Sequence, residues 1–338
     1  VRTALSGLPK DSGEVPDEIL FRLSEERGLN PEMAISIANL SGWPRLGVRV
    51  GFAADMAARN AERTKAAAKE KSKIGMFPWK DFPETSRDYY DDTNKTSFEA
   101  TALACNQLSD SEINLLELST EVRVPPTHYV VLDRTLFYPE GGGQLGDQGQ
   151  IGKSRVVDTR IEGGVIFHLT DSEVPLGKVS AEVSRERRSQ LMDHHTAVHI
   201  VGGSSRALLG PHIWQAGSSK GSRYARIDLT HHSRLSREEL DRIEDHANSI
   251  IEANIPVEKL VMHRAEADEK FGFEIYQGGP PKQAEIRVIR IGDHDTQACG
   301  GTHHDSTGQI GELRIIRSSQ VQDGVERLQI VAGDTARE

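Results

Sequence analysis

The chain has 338 residues, 36% of them hydrophobic, with 31 glycines, two cysteines and a formal net charge of −10. That length leaves room for two or three domains with at least one sizeable core, and the glycine content fits a turn-rich globular chain better than a helical bundle. The acidic balance argues against a surface that grips nucleic acid all over. Two cysteines argue against a disulfide scaffold and for a reducing, cytoplasmic compartment, and no apolar run reaches the length of a bilayer crossing. The sequence opens Val1-Arg2-Thr3, without Met and without an apolar leader, so it reads as a piece of a longer protein.

Residues 1–80 read as helical. Asp17 to Arg27 puts Ile19, Leu20 and Leu23 on one face. Gly28 stops that helix, and Asn30-Pro31 opens the next as N-cap and first helical residue. Ala53 to Lys73 carries Arg59, Arg63, Lys65, Lys69, Lys71 and Lys73 with few apolar positions. It reads as a solvated helix, with phosphate contact as the functional alternative. Phe77-Pro78 and Phe82-Pro83 break the helical pattern, and a domain boundary is placed there.

From Ser97 to about Glu186 the texture is β. Tyr129-Val130-Val131-Leu132 and Val165-Ile166-Phe167-His168-Leu169 are strand runs. Between them, Phe137 to Gly149 holds five glycines. They form either a loop backing closely onto a ligand or RNA, or tight hairpin turns in a small barrel. From Arg187 the pattern becomes α/β. Helices are expected over Ser189–Leu209, closed by Gly210-Pro211, and over Ser236–Asn254, opened by a capping box of Ser236 and Glu239. Strands are expected at Ala225–Leu229, Glu285–Ile291, Leu313–Ile316 and Val325–Val331, assembling into one sheet with helices on one face. The fold class is therefore α+β: a helical segment (1–90), a small glycine-rich β-barrel (91–188), and a metal-binding α/β core with a mostly antiparallel sheet (189–338).

The chemistry concentrates in two motifs. His195-Thr196-Ala197-Val198-His199 places two imidazoles one turn apart on a helix face, and Cys299-Gly300-Gly301-Thr302-His303 offers a thiolate and an imidazole at the same spacing. Together they supply the three nitrogens and one sulfur of a tetrahedral zinc set. With 13 histidines in the chain a single His-x-x-x-His arises easily by chance, but the second pair uses one of only two cysteines, in a glycine turn. Helical phase favours His195 over His194 as partner of His199. A metallopeptidase needs Glu directly after the first His, where Thr196 stands. The shell is either closed and structural, or loose enough at one ligand to polarise a water or the substrate.

At these residues the chain resembles the editing region of alanyl-tRNA synthetases of the archaeal type. The resemblance rests on Phe137-Tyr138-Pro139-Glu140-Gly141-Gly142-Gly143-Gln144-Leu145-Gly146-Asp147, the two metal motifs, Trp214-Gln215-Ala216-Gly217, Tyr276-Gln277-Gly278-Gly279 and Gln322-Asp323-Gly324-Val325-Glu326-Arg327. It covers residue 80 to the end well. The N-terminal helices resemble, more loosely, the end of the tRNA-recognition region. The resemblance implies an enzyme that joins alanine to tRNA(Ala) with ATP and Mg2+, and then hydrolyses serine or glycine attached in error. Its aminoacylation core would lie upstream of this chain, and a C-terminal domain for tRNA contact and homodimerisation downstream. It implies zinc on His195, His199, Cys299 and His303, and no membrane or DNA partner.

Gly142, Gly143, Gln144, Gln215 and Thr302 are the residues expected to touch the aminoacyl end. A zinc-bound water is the expected catalytic group, with Gln215 and Thr196 to assist it. Many relatives carry Thr where Val198 stands, so a hydroxyl that would read serine is missing there, with Thr196 or Thr302 to compensate. Arg185 to Arg188 and Lys220 to Arg226 are expected to contact phosphates. Two other readings stay open: a tRNA-binding module with a purely structural zinc, and a free-standing protein that edits in trans.

Overall fold

The computed structural model describes residues 1–27, 29, 31–53, 55, 56, 59, 76–279, 281, 283–322 and 324–337. The expected stop at Gly28, the cap at Asn30 and most of the charged helix to Lys73 lie outside the described residues. Helix α1 (Asp17–Arg27) follows the predicted apolar face, and helix α2 (Pro31–Leu40) has Pro31 as its first residue, as expected. Leu20 and Leu23 are buried, together with Ile35, Trp43 and Phe52.

Among the described residues, six strands close into a barrel: β1 (Ser97–Gln107), β2 (His128–Leu132), β3 (Gly149–Ile151), β4 (Ser154–Glu162), β5 (Val165–Thr170) and β6 (Gly177–Val183). Their order around it is β1-β2-β5-β4-β3-β6, all antiparallel. β2 shows the period-two rule directly. Val130 and Leu132 fill one apolar cluster with Leu136, Phe137 and Val156, while Tyr129 and Val131 face another with Phe77 and Phe167. Phe77 lies flat on Phe167 at 4.3 Å between ring centroids, so the Phe-Pro break expected to end the helical segment seals the outside of the barrel.

The glycine loop serves as barrel turn and as bridge. A Cβ on Gly149 would come within 2.1 Å of the Glu182 carbonyl oxygen, and one on Gly146 within 2.6 Å of the Thr159 carbonyl oxygen. Gly143, at φ +80°, approaches the Ser218 carbonyl as closely, which ties the loop to the first strand of the C-terminal core.

Helix α3 (Arg185–Leu209) starts four residues before the expected Ser189, with Ser184 as N-cap accepting from the Arg187 amide. It runs across residue 188, where the sequence placed a boundary. Its side chains from Gln190 to Ser205 are all buried, because the helix passes between the barrel and the core sheets. Gly210 ends it at φ +113°. Helix α4 (Arg237–Glu252) has the predicted capping box at Ser236 and Glu239, and buries Ile243, Ala247 and Ile251 against α3.

Among the described residues, the core holds two antiparallel sheets where the sequence suggested one. β7 (Gln215–Lys220), β8 (Ala225–Thr230), β12 (Leu313–Gln322) and β13 (Val325–Ala332) form the larger, in the order β12-β13-β8-β7. β9 (Val257–His263), β10 (Glu285–Ile291) and β11 (Asp295–Ala298) form the smaller. The reason lies in β10: Ile289 and Ile291 point into the cluster of α3 and α4, while Ile286 and Val288 pack on Leu20, Trp43 and Phe52. A strand buried on both faces needs a second layer, and the N-terminal helices supply it. Among the described residues, those helices share one core with residues 260–288.

Candidate metal centre

The site is assembled from α3, from the turn after β11 and from the glycine loop. His195 and His199 are each 2% exposed, and His303 is fully buried. One donor atom from each of His195, His199, Cys299 and His303 lies within 4.8 Å of the others. Cys299 Sγ is 3.3 Å from His195 Nε2 and 3.4 Å from His303 Nε2.

Each ring is held from behind at Nδ1. His195 Nδ1 donates to Gln144 Oε1 at 2.7 Å, and His199 Nδ1 donates to Asp295 Oδ2 at 2.9 Å. His303 Nδ1 pairs with Thr196 Oγ1 at 3.2 Å. Gln144 is fixed in turn: its Oε1 accepts from the Thr302 amide at 3.0 Å and its Nε2 donates to Thr302 Oγ1 at 2.9 Å. With Nδ1 committed, Nε2 is the nitrogen left for a metal on all three rings.

The turn is braced as well. Arg287 donates to the carbonyls of Cys299 at 3.1 Å and Gly301 at 2.7 Å, and Tyr90 donates to that of Gly300 at 2.7 Å. A Cβ on Gly301 would fall 2.0 Å from His195 Cε1, so only glycine lets the turn lie against that ring.

The electrostatics suit a cation. Burial alone would raise the Cys299 thiol, but the imidazoles of His195 and His303 beside it outweigh that and hold it well below its ordinary value. Burial, together with Lys220, pushes His195 down to about 4, and burial with His195 drives His303 well below its usual range. Burial also opposes the charge on His199, yet its bond to Asp295 and the nearby Cys299 lift it to about 9. Three imidazoles, one of them beside a carboxylate, and a thiol held below its ordinary value are the donor set of a zinc site.

The cluster forms the floor of a cavity of about 320 Å³, which opens onto His195, His199 and Cys299 and is walled by Tyr138, Gly142, Gln215 and Lys220. Of the residues expected to touch substrate, Gly142 and Gln215 stand on that wall. Gln144, Thr302 and Thr196 do not: Gln144 and Thr196 bond the imidazoles of His195 and His303, Thr302 bonds Gln144, and Gly143 is turned to β7. Val198 is 1% exposed in the core cluster of α3 and α4 and does not line the cavity, so a hydroxyl at that position would sit among aliphatic side chains.

Of the residues expected to contact phosphates, Arg185 and Arg223 are exposed, whereas Arg187, Arg188, Lys220 and Arg226 have partners within the fold. Arg188 is 1% exposed and is locked onto Asp147, the Thr93 carbonyl and the Leu136 carbonyl. Arg187 pairs with Glu121, and Arg226 with Asp228. Lys220 is 3% exposed on the cavity wall, where its ammonium donates to the Gly142 carbonyl at 2.9 Å and to Ser218 Oγ at 2.7 Å. Burial pushes it down to about 8. Sequence reasoning missed Lys220 as a pocket residue because it opens a run of surface-type charges that continues to Arg226. Strict alternation along β7 from Gln215 would put Lys220, five residues on, on the opposite face, and the register of β7 on β8 shifts between Asp228 and Leu229, so no simple pattern signalled it.

Residues 1–187 match the family model of class II (A) tRNA synthetases. The chain belongs to that family. Residues 286–329, from β10 to β13 and including the Cys299–His303 turn, match the second additional domain of threonyl and alanyl tRNA synthetases. The chain is similar to the alanine--tRNA ligase of Methanopyrus kandleri, with 39% identity over 341 residues, covering 97% of this chain and 35% of that protein. It is similar to that of Halorubrum lacusprofundi at 38% identity over 331 residues, covering 96% and 33%. The ligase of Pyrobaculum neutrophilum matches at 40% over 324 residues, covering 93% and 34%. This synthetase chain thus spans about a third of the length of the curated relatives it matches.

Proposed function

We propose that the chain is the proofreading part of an alanine--tRNA ligase. In this reading it hydrolyses the ester of tRNA(Ala) carrying serine or glycine, at a zinc ion held by His195, His199, Cys299 and His303. The observation that carries this is the cluster's place: of its four converging donor residues, His195, His199 and Cys299 line an open cavity. The need for such a site is physical. A pocket for alanine gains only about 1–3 kcal/mol against a ligand differing by one methylene or hydroxyl, so rejection requires a second site with different contacts.

Zinc bound there supplies Lewis-acid chemistry: polarisation of the ester carbonyl and activation of water. The chain's own residues do the rest. Asp295, Gln144 and Thr196 fix the three imidazoles, and so act as positioning residues. Gln215 and Lys220 face the cavity with hydrogen-bond donors, and we assign them the reading of the aminoacyl end. The Gln215 backbone is held by Gln277 Oε1, which accepts its amide at 3.1 Å. The Gly141-Gly142 backbone lets the terminal adenosine approach without side chains in the way.

The rest of the reading rests on the relatives. The intact protein attaches alanine to tRNA(Ala) with ATP and Mg2+ in the cytoplasm and dimerises through a domain outside this chain. The three segments 1–90, 91–188 and 189–338 are the end of the tRNA-recognition region, the barrel and the editing core. A tRNA-binding module with a structural zinc is the second reading, favoured by the fact that four protein donors can close the shell. Incubating the chain with serine-charged tRNA(Ala) separates the two: release of free serine supports editing, and binding without release supports the module.

A further inference from the structure

A second group of histidines lies outside the proposed editing centre. His212 sits on the loop after α3, and His231-His232 follow β8. One ring nitrogen of each lies within 4.8 Å of the others. His212 Nε2 and His231 Nδ1 are 2.9 Å apart, so one proton is shared between two lone pairs that face each other. His231 Nε2 lies 3.4 Å from Ser233 Oγ, a hydroxyl that pairs with that nitrogen in either tautomer. The three rings stand around one point, with centroids 5.1, 5.4 and 4.6 Å apart.

The backbone that presents them is rigid. Gly210, at φ +113°, turns the chain back after α3, and Pro211 precedes His212. Thr230 then ties the two loops: its hydroxyl donates to the His212 carbonyl at 2.6 Å and accepts from the Trp214 amide at 2.8 Å. The His231 amide donates to the Gly324 carbonyl at 2.9 Å. A negative group stands nearby. Glu326, 1% exposed, pairs across the sheet with Leu229 and acts electrostatically on His231. Its Oε2 has no hydrogen-bond partner among the described residues.

We infer that His212, His231 and His232 form a second divalent-metal site, nitrogen-only and open on its solvent side, of the kind taken by Zn2+ and its late first-row neighbours. Binding exchanges the proton between His212 and His231 for the ion and releases that proton to solvent. His231 is buried at 7%, His212 is half-buried and His232 is exposed, so the ion enters from the surface and keeps coordination positions for water. The ion clamps the loop that leads into Trp214 and Gln215, and so stiffens one wall of the cavity. No residue is shared with the Cys299 cluster.

The test is equilibrium dialysis of the whole chain against Zn2+, counting metal per chain in the wild type, in Cys299→Ala and in the double variant His212→Ala/His232→Ala. The wild type should hold one equivalent more than the double variant, and Cys299→Ala should keep that equivalent. With Co2+ in place of Zn2+, the thiolate charge-transfer band should vanish in Cys299→Ala and persist unchanged in the double variant. Equal counts in the wild type and the double variant overturn the inference. If the double variant does not fold, His232→Ala alone decides by the same count, since that ring is exposed. Loss of metal in Cys299→Ala alone bears on the editing centre and leaves this site standing.

Discussion

Asp295 accepts a hydrogen bond from His199 Nδ1 at 2.9 Å, and its other oxygen accepts from Gln297 Nε2 at 3.0 Å. The carboxylate is 3% exposed, so its charge acts on the imidazole with little screening. It fixes which nitrogen faces the cluster and makes that nitrogen a stronger donor.

Removing it should therefore weaken metal binding without dismantling the fold. Asp295→Ala is expected to lower Zn2+ affinity by about 10–100-fold in chelator competition, and Asp295→Asn by less, because an amide oxygen still accepts from Nδ1. An unchanged affinity in Asp295→Ala would remove the positioning role.

Gly301 gives a second test through pure sterics. A Cβ there would overlap the His195 ring and come within 2.9 Å of Gln144 Oε1. Gly301→Ala should displace His195 from the cluster, with zinc content after dialysis falling at least as far as in Asp295→Ala. The far-ultraviolet circular dichroism should stay unchanged, since the turn lies outside the strands and helices that carry that signal.

Arg188 and Asp147 form an ion pair with side chains 2% and 0% exposed. Asp147 also accepts from the Tyr138 amide at 2.7 Å, so it anchors the start of the glycine loop. Arg188→Ala leaves that carboxylate buried and unpaired, and should cost about 3–5 kcal/mol in urea unfolding. A loss below about 1 kcal/mol, the worth of an exposed pair, would contradict the buried pairing.

His168 makes the barrel sensitive to acid. Burial pushes its ring down to about 4, against an ordinary value of 6.5. It bonds Thr135 Oγ1 at 2.8 Å and the Val130 carbonyl at 3.1 Å in the neutral form. Between those two values the unfolded chain binds the proton that the folded chain refuses, so stability is present above pH 6.5 and falls as pH drops towards 4. The loss over that window is on the order of 3 kcal/mol. His168→Gln should flatten the dependence in thermal melts taken from pH 7 to pH 4.5.

Much of this was legible in the sequence where a local rule decides. The capping box at Ser236 and Glu239, the Gly210 stop and the strand Glu285–Ile291 follow from single residues or strict alternation. The metal motifs were legible because four donors at matched spacing are rare. What escaped depends on contacts far apart in the chain. Gln144 reads as a loop residue fit for a substrate, yet its partners His195 and Thr302 are 51 and 158 positions away. Arg188 and Lys220 sit in basic runs that look solvated, and only the packing of the barrel on α3 and β7 buries them. The second sheet was hidden because β10 is apolar on both faces, a pattern that gives no sign of how many layers cover it.

The central claim is that zinc on the Cys299 cluster serves ester hydrolysis. Its most direct measurement is the rate of serine release from serine-charged tRNA(Ala), with zinc content determined on the same samples of wild type and Cys299→Ala. The account predicts that zinc is lost from the cluster in the variant and that serine release falls to the uncatalysed rate. Serine release at the wild-type rate from a variant that has lost that zinc would contradict it.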